Sequence, residues 1–116
     1  AIAFEKRHGA RYNVVYKPAL IWEHIDVNLS NPLLADRRVR QAMLLAIDRK
    51  AISEKLFEGK QPVAHGGISE LDPMFSPAAR QYAYDPAAAR RLLDEAGFAT
   101  MRNNVRQNAA GERLSV

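Results

Sequence analysis

The side chains able to do covalent or metal chemistry are few and scattered. His8, His24 and His65 lie far apart. A zinc-type site needs ligands that converge, such as two His at i and i+4 on one helix. None of the three is spaced that way from another His or a carboxylate, so no metal is expected. Ser30, Ser53, Ser69, Ser76 and Ser115 all lie outside a Gly-x-Ser-x-Gly turn, the strained elbow that exposes a nucleophilic hydroxyl. Glu23 and Asp26 are the right types for an acid/base pair. Three positions apart on an extended chain, however, they point to opposite faces. Gly66-Gly67 has neither a P-loop nor a dinucleotide fingerprint around it. The absence of Cys removes disulfides and thiolate sites and leaves the compartment open. No enzyme activity and no cofactor are expected.

Binding chemistry is better represented. Arg37-Arg38-Val39-Arg40 would present cations along one helix, and the chain carries a net charge of +4 with a pI near 9.7. That supports an alternative reading, a small basic helical domain that grips nucleic-acid phosphates. Against it, there is no helix-turn-helix or zinc-knuckle signature, and the aromatics do not interleave with the basic residues. No nucleic-acid partner is expected on balance. Trp22, the sole Trp, is either core or a platform for a ligand. Residues 60–79 hold Pro62, Gly66, Gly67, Pro73 and Pro77, so they read as a long irregular loop. A loop anchored by rigid helices often lines a cleft. Lys60 at its start could meet a carboxylate, and His65 lies within it.

The elements that must position these residues follow from periodicity and punctuation. Residues 2–9 read as a helix closed by Gly9. Tyr12–Lys17 and Leu20–Leu29 are β-prone runs, the first stopped by Pro18 and the second by Ser30-Asn31-Pro32. Asp36 is placed to cap a helix whose buried stripe is Val39, Ala42, Met43, Ala46 and Ile47. Asp48-Arg49-Lys50 breaks that pattern. A second helix carries Ile52, Leu56 and Phe57 on one face and stops at Gly59. Asp85-Pro86 starts a third, with Ala89, Leu92, Leu93 and Ala96 as its stripe and Gly97 as its end. Thr100–Ala110 is polar and reads as loop. Gly111–Val116 reads as a turn entering a strand. No repeat, linker or internal boundary stands out, so residues 1–116 read as one partial domain. No apolar run nears the roughly 20 residues needed to cross a bilayer.

Taken in order, these motifs resemble one family, the dipeptide-, oligopeptide- and nickel-binding solute receptors of bacterial ABC importers. The resemblance rests on Asn28, Pro32, Asp36, Val39-Arg40-Gln41-Ala42 and Ala46-Ile47-Asp48-Arg49. Gly59 and Pro62 continue it, then Tyr84-Asp85-Pro86 and Leu92-Leu93-Asp94-Glu95-Ala96-Gly97. It spans about residues 22–98. One departure is the loop, where many relatives carry Pro-Pro or Ile-Pro and this chain has His65-Gly-Gly-Ile-Ser-Glu-Leu-Asp-Pro73.

The resemblance implies an α+β, helix-rich piece of a two-lobed periplasmic binding protein. The piece would be the start of the second lobe, with two or so N-terminal strands followed by three helices. It implies capture of a peptide or other small solute in the periplasm, by a soluble or lipid-anchored receptor, for delivery to ABC permease subunits. Such receptors are several times longer, so the chain is expected to be part of one, to bind no solute alone, and to self-associate through surface its missing half would cover. No binding residue carries over by motif. Position alone suggests Trp22, Lys60 and His65 as cleft-side contacts.

Overall fold

A computed structural model describes residues 1–115. Five helices and one two-stranded sheet appear in the order α1 (Ile2–His8), α2 (Pro32–Ala35), α3 (Arg37–Ala46), α4 (Arg49–Phe57), α5 (Pro86–Glu95), β1 (Thr100–Arg102) and β2 (Val105–Gln107). The contacts gather into two units. One is Ala1–Glu23 with Arg49–Gln81, and the other is His24–Asp48 with Tyr82–Val116. Each is built from separate stretches of chain, which is why no linker marks either in the sequence.

The second unit holds the core. α3 and α5 pack against each other, and Val39, Ala42 and Ala89 are buried between them with Leu34 and Phe98. Val39 and Ala42 are each only 1% exposed. Alanine on both helices lets the backbones approach closely, and Val39 fills the space between. A cleft of about 290 Å³ remains along the contact, lined by Val39, Ala42, Met43, Ala89, Leu93 and Leu114 among others.

Capping sets where these helices begin and end. The Asp36 carboxylate accepts the Arg38 N–H at 2.8 Å. The Asp85 carboxylate does the same for Ala88 at 2.8 Å, with Pro86 at the first helical position. Each satisfies an amide that has no partner within its helix. α5 ends with Gly97 at φ +95°. There the Gly97 N–H bonds the Asp94 carbonyl and the Phe98 N–H the Leu93 carbonyl, a paired closure that turns Phe98 back into the core. The stripe expected on α3 is realised at Val39 and Ala42. Ala46 is exposed instead, because the helix stops there and Ile47 is already extended.

Three expectations are corrected. Tyr12–Lys17 and Leu20–Leu29 form no strand, since a strand exists only by pairing and no described segment pairs with them. The polar tail is not a loop. β1 and β2 form an antiparallel hairpin in the register Thr100↔Gln107, Met101↔Arg106 and Arg102↔Val105. Its two-residue turn is Asn103-Asn104, both with positive φ, at 50° and 60°. Asn tolerates that left-handed geometry, which matches the twist of the flanking strands. Arg106 anchors the hairpin to α5 by donating to Asp94 and, at 2.7 Å, to the Phe98 carbonyl. Finally, the apolar face expected on α4 is not buried. Ile52 is 44% and Leu56 69% exposed, while Phe57 is half-buried.

Two predictions follow from this packing. Val39→Ala should cost about 2 kcal/mol, from lost methyl burial and the cavity left behind. Leu56→Ala, on an exposed face, should stay within about 0.5 kcal/mol. Urea unfolding followed by circular dichroism distinguishes the two. Asp36 gives a pH signature. Its hydrogen bonds with Arg38 hold the carboxyl below its ordinary value of 3.8. A depressed carboxyl stabilises the fold above its unfolded pKa and loses that contribution as pH falls through the folded one. Asp36→Asn should therefore be less stable than wild type at neutral pH, and the gap should close on acidification below the ordinary carboxylate range. A gap that widens with acid would contradict this assignment.

Candidate functional site

The three residues singled out for solute contact, Trp22, Lys60 and His65, all lie in the first unit. The end of α4 determines how Lys60 emerges. Glu58 and Gly59 both take positive φ, at 51° and 70°, and reverse the chain out of the helix. The Gly59 N–H bonds the Ser53 carbonyl at 3.0 Å, and the Lys60 N–H the Phe57 carbonyl at 2.8 Å. Lys60 then points its ammonium 4.7 Å from the centre of the Tyr16 ring and 3.6 Å from the Glu5 carboxylate. Tyr16 donates its hydroxyl to the same carboxylate at 2.9 Å. Partial burial, then the bond to Glu5 and the charges of Glu5 and Glu58, raise the Tyr16 phenol above its ordinary value. Lys60 is thus a neutralised cation seated on an aromatic face.

The loop that follows is irregular but pinned. Ser53 donates its hydroxyl to the Gln61 carbonyl. Arg49 donates to the Ala64 carbonyl at 2.7 Å. Ser69 donates its hydroxyl to the Ala19 carbonyl at 3.3 Å and accepts the Leu71 N–H. The Asp72 carboxylate accepts the Met74 N–H at 2.8 Å. These side-chain turns replace a regular ladder, which the Pro and Gly content forbids. Trp22, 43% exposed, lies against this loop at Gly67. A Cβ on Gly67 would stand 2.8 Å from Cζ2 of the indole, so only glycine leaves room for the ring as placed. His65 is exposed, two residues from that contact.

The structure therefore brings Trp22 to the loop that contains His65, and sets Lys60 in a separate polar cluster. Sequence reasoning missed Glu5 and Tyr16 as the partners of Lys60. Nothing at separations of 55 and 44 positions signals such a contact. It also gave no pairing to His24, whose Nε2 stands 3.2 Å from the Asp26 carboxylate, two positions along the chain in the second unit. Among the described residues no group of three or more His, Cys, Asp or Glu could hold a metal ion.

The basic helix has other uses for its cations. Arg38 forms an ion pair with Asp36 at 2.6 Å and donates to the Glu95 carbonyl at 2.5 Å. Arg40 donates to the Leu34 and Ala35 carbonyls at 2.7 and 2.8 Å. Two of the three arginines that suggested phosphate binding are thus engaged within their own unit.

Comparison with known proteins places the chain. Residues 2–115 match the family described as bacterial extracellular solute-binding proteins, family 5, middle region. A candidate ABC transporter peptide-binding protein of Brucella ovis is 37% identical over 87 residues, 75% of this chain and 16% of that protein. The oligopeptide-binding protein of Thermus thermophilus, solved in complex with a pentapeptide, superposes with a TM-score of 0.73 at 34% identity, over 84% of this chain and 17% of that one. NikA of Brucella suis, solved with Fe(III)-EDTA, superposes with a TM-score of 0.67 at 31% identity, over 75% of this chain and 18% of that one. The chain thus spans about one sixth of the length of the relatives it matches. Its α+β fold is part of the two-lobed periplasmic binding-protein architecture. The order of its caps, helices and glycine stops, and its match along nearly every residue, make the chain a member of the family 5 bacterial extracellular solute-binding proteins.

Proposed function

We propose that this chain works as part of a longer receptor that captures a peptide outside the cytoplasm and presents it to an ABC permease. The observation that carries the reading is the superposition of 84% of the chain, at 34% identity, on an oligopeptide-binding protein solved with a pentapeptide. The work is capture, not catalysis. A solute would be enclosed between lobes, and closure would favour the form the permease recognises. The receptor would act in the periplasm, either soluble or lipid-anchored. In the same reading residues 1–116 form one part of the second lobe. Trp22 and His65 would then contribute apolar and hydrogen-bonding contacts from the loop side. Lys60 would offer a cation to a peptide carboxylate only by giving up Glu5.

The decisive preparation is the full-length protein, purified gently and analysed by native mass spectrometry, followed by acid release of its contents. A heterogeneous set of short peptides is the expected result. One defined metal chelate would keep a receptor and replace its solute class, and an empty protein or bound nucleic acid would overturn the reading. The 116-residue chain alone should give no peptide affinity in the micromolar range or tighter by calorimetry. Trp22 offers an internal probe, because it is the only Trp. Gly67→Ala should push the indole off the loop and shift its fluorescence to longer wavelength, since water replaces the backbone contact. In the full-length receptor the same change should weaken peptide binding if Trp22 is a contact. Unchanged affinity despite a shifted spectrum would remove Trp22 from the site.

A further inference from the structure

We propose that α1 is held to the end of α4 by a two-way charge clasp, and that this clasp is a salt-sensitive latch on Lys60. The proposal concerns the first unit alone and stands whether or not that unit meets a solute.

α1 has 7 residues and buries none of them. A helix that short is not stable by itself in water, so outside contacts must hold it. Two ion pairs tie α1 to the turn that leaves α4. Lys6 donates to the Glu58 carboxylate. Glu5, its neighbour, accepts the Tyr16 hydroxyl and stands 3.6 Å from the Lys60 ammonium. Consecutive residues of α1 with opposite charge therefore meet residues 58 and 60 with the charges reversed. A slip that carried Glu5 to Glu58, or Lys6 to Lys60, would bring like charges together, so the pattern fixes register as well as attraction. The left-handed pair Glu58-Gly59 reverses the chain between the two partners and lets both reach α1. The ring contacts Phe4–His8, at 4.7 Å, and Phe4–Tyr12, at 5.5 Å, lie within α1 and the residues just after it, and do not reach α4.

The strength suits a latch and not a weld. Exposed ion pairs are weak and are screened over about 10 Å at moderate salt. The Lys6 side chain is 64% and that of Glu58 41% exposed, while Glu5 and Lys60 are each about one third exposed. Ordinary changes in ionic strength should therefore move α1 between docked and released. Release would take the Glu5 carboxylate away from Lys60 and leave its ammonium open to another anion.

Cα chemical shifts of Ile2–His8 in the isotope-labelled chain, followed from low to high salt, test this. Glu58→Gln and Lys60→Gln lie outside α1, so they change the clasp without changing the helix's own sequence. Each should lower the docked-to-released ratio of α1 by about twofold to fivefold at low salt. Added salt should lower the wild-type ratio, and the double variant should no longer respond. Lys60→Arg, which keeps the charge, should retain the salt response. Shifts from α3 and α5 should not move in any variant. Helicity in α1 that ignores both salt and substitution would overturn the proposal, and so would a salt response that survives the double variant.

Discussion

The contact of α3 with α5 is the constraint from which the structure of the second unit follows. Val39 and Ala42 can reach 1% exposure only because Ala89 on the opposing helix is small enough to let the backbones close. Asp36 starts α3 and orients Arg38, and Arg38 reaches the last-turn carbonyl of α5 at Glu95. The beginning of one helix is thereby fixed to the end of the other. The Gly97 turn then returns Phe98 to the core, and Arg106 carries the same connection outward to the hairpin. Register, helix ends and tail placement are therefore parts of a single packed arrangement.

What was legible in the sequence were the features whose cause is local. Asp36 and Asp85-Pro86 start helices because a carboxylate three or fewer positions from an orphan amide needs no distant help. Gly59 and Gly97 follow helix ends because glycine takes positive φ without a Cβ clash. What was not legible depends on partners. Tyr12–Lys17 and Leu20–Leu29 have strand composition, but composition cannot supply the neighbouring ladder. The Ile52, Leu56 and Phe57 stripe shows which way α4 would bury a face, not whether anything covers it. The hairpin is a different kind of miss. Asn103-Asn104 is a local turn signal, hidden because polar residues on both sides removed the apolar alternation that usually frames one. Of the candidate site, the irregularity of the loop could be read from its Pro and Gly, whereas the Trp22–Gly67 contact and the Glu5–Tyr16–Lys60 cluster are wholly tertiary.

The two units differ in what holds them. The second has a small apolar core with capped helices. In the first, α1 and α4 contain no buried residue, and polar ties take over: Arg49 to Ala64, Ser69 to Ala19, Lys6 to Glu58, Lys60 to Glu5. Such ties are directional, so they can fix a loop rich in Pro and Gly, yet each adds little net free energy because water competes for the same groups. A surface held this way can adjust one tie at a time, because no shared apolar core links the ties.

The positive charge of the chain invites comparison with nucleic-acid binders, and its distribution argues otherwise. Arg38, Arg40, Arg49 and Arg106 each donate to a backbone carbonyl in their own unit. Two of these contacts fall where helix geometry leaves carbonyls without partners, at the end of α2 and the end of α5. A guanidinium suits this role because its planar fork spans two acceptors, as Arg40 does across Leu34 and Ala35, and because it loses less on desolvation than an ammonium. A phosphate backbone would have to draw these donors away from carbonyls that would then lack a partner. At these four positions arginine closes helix ends and loops of its own unit.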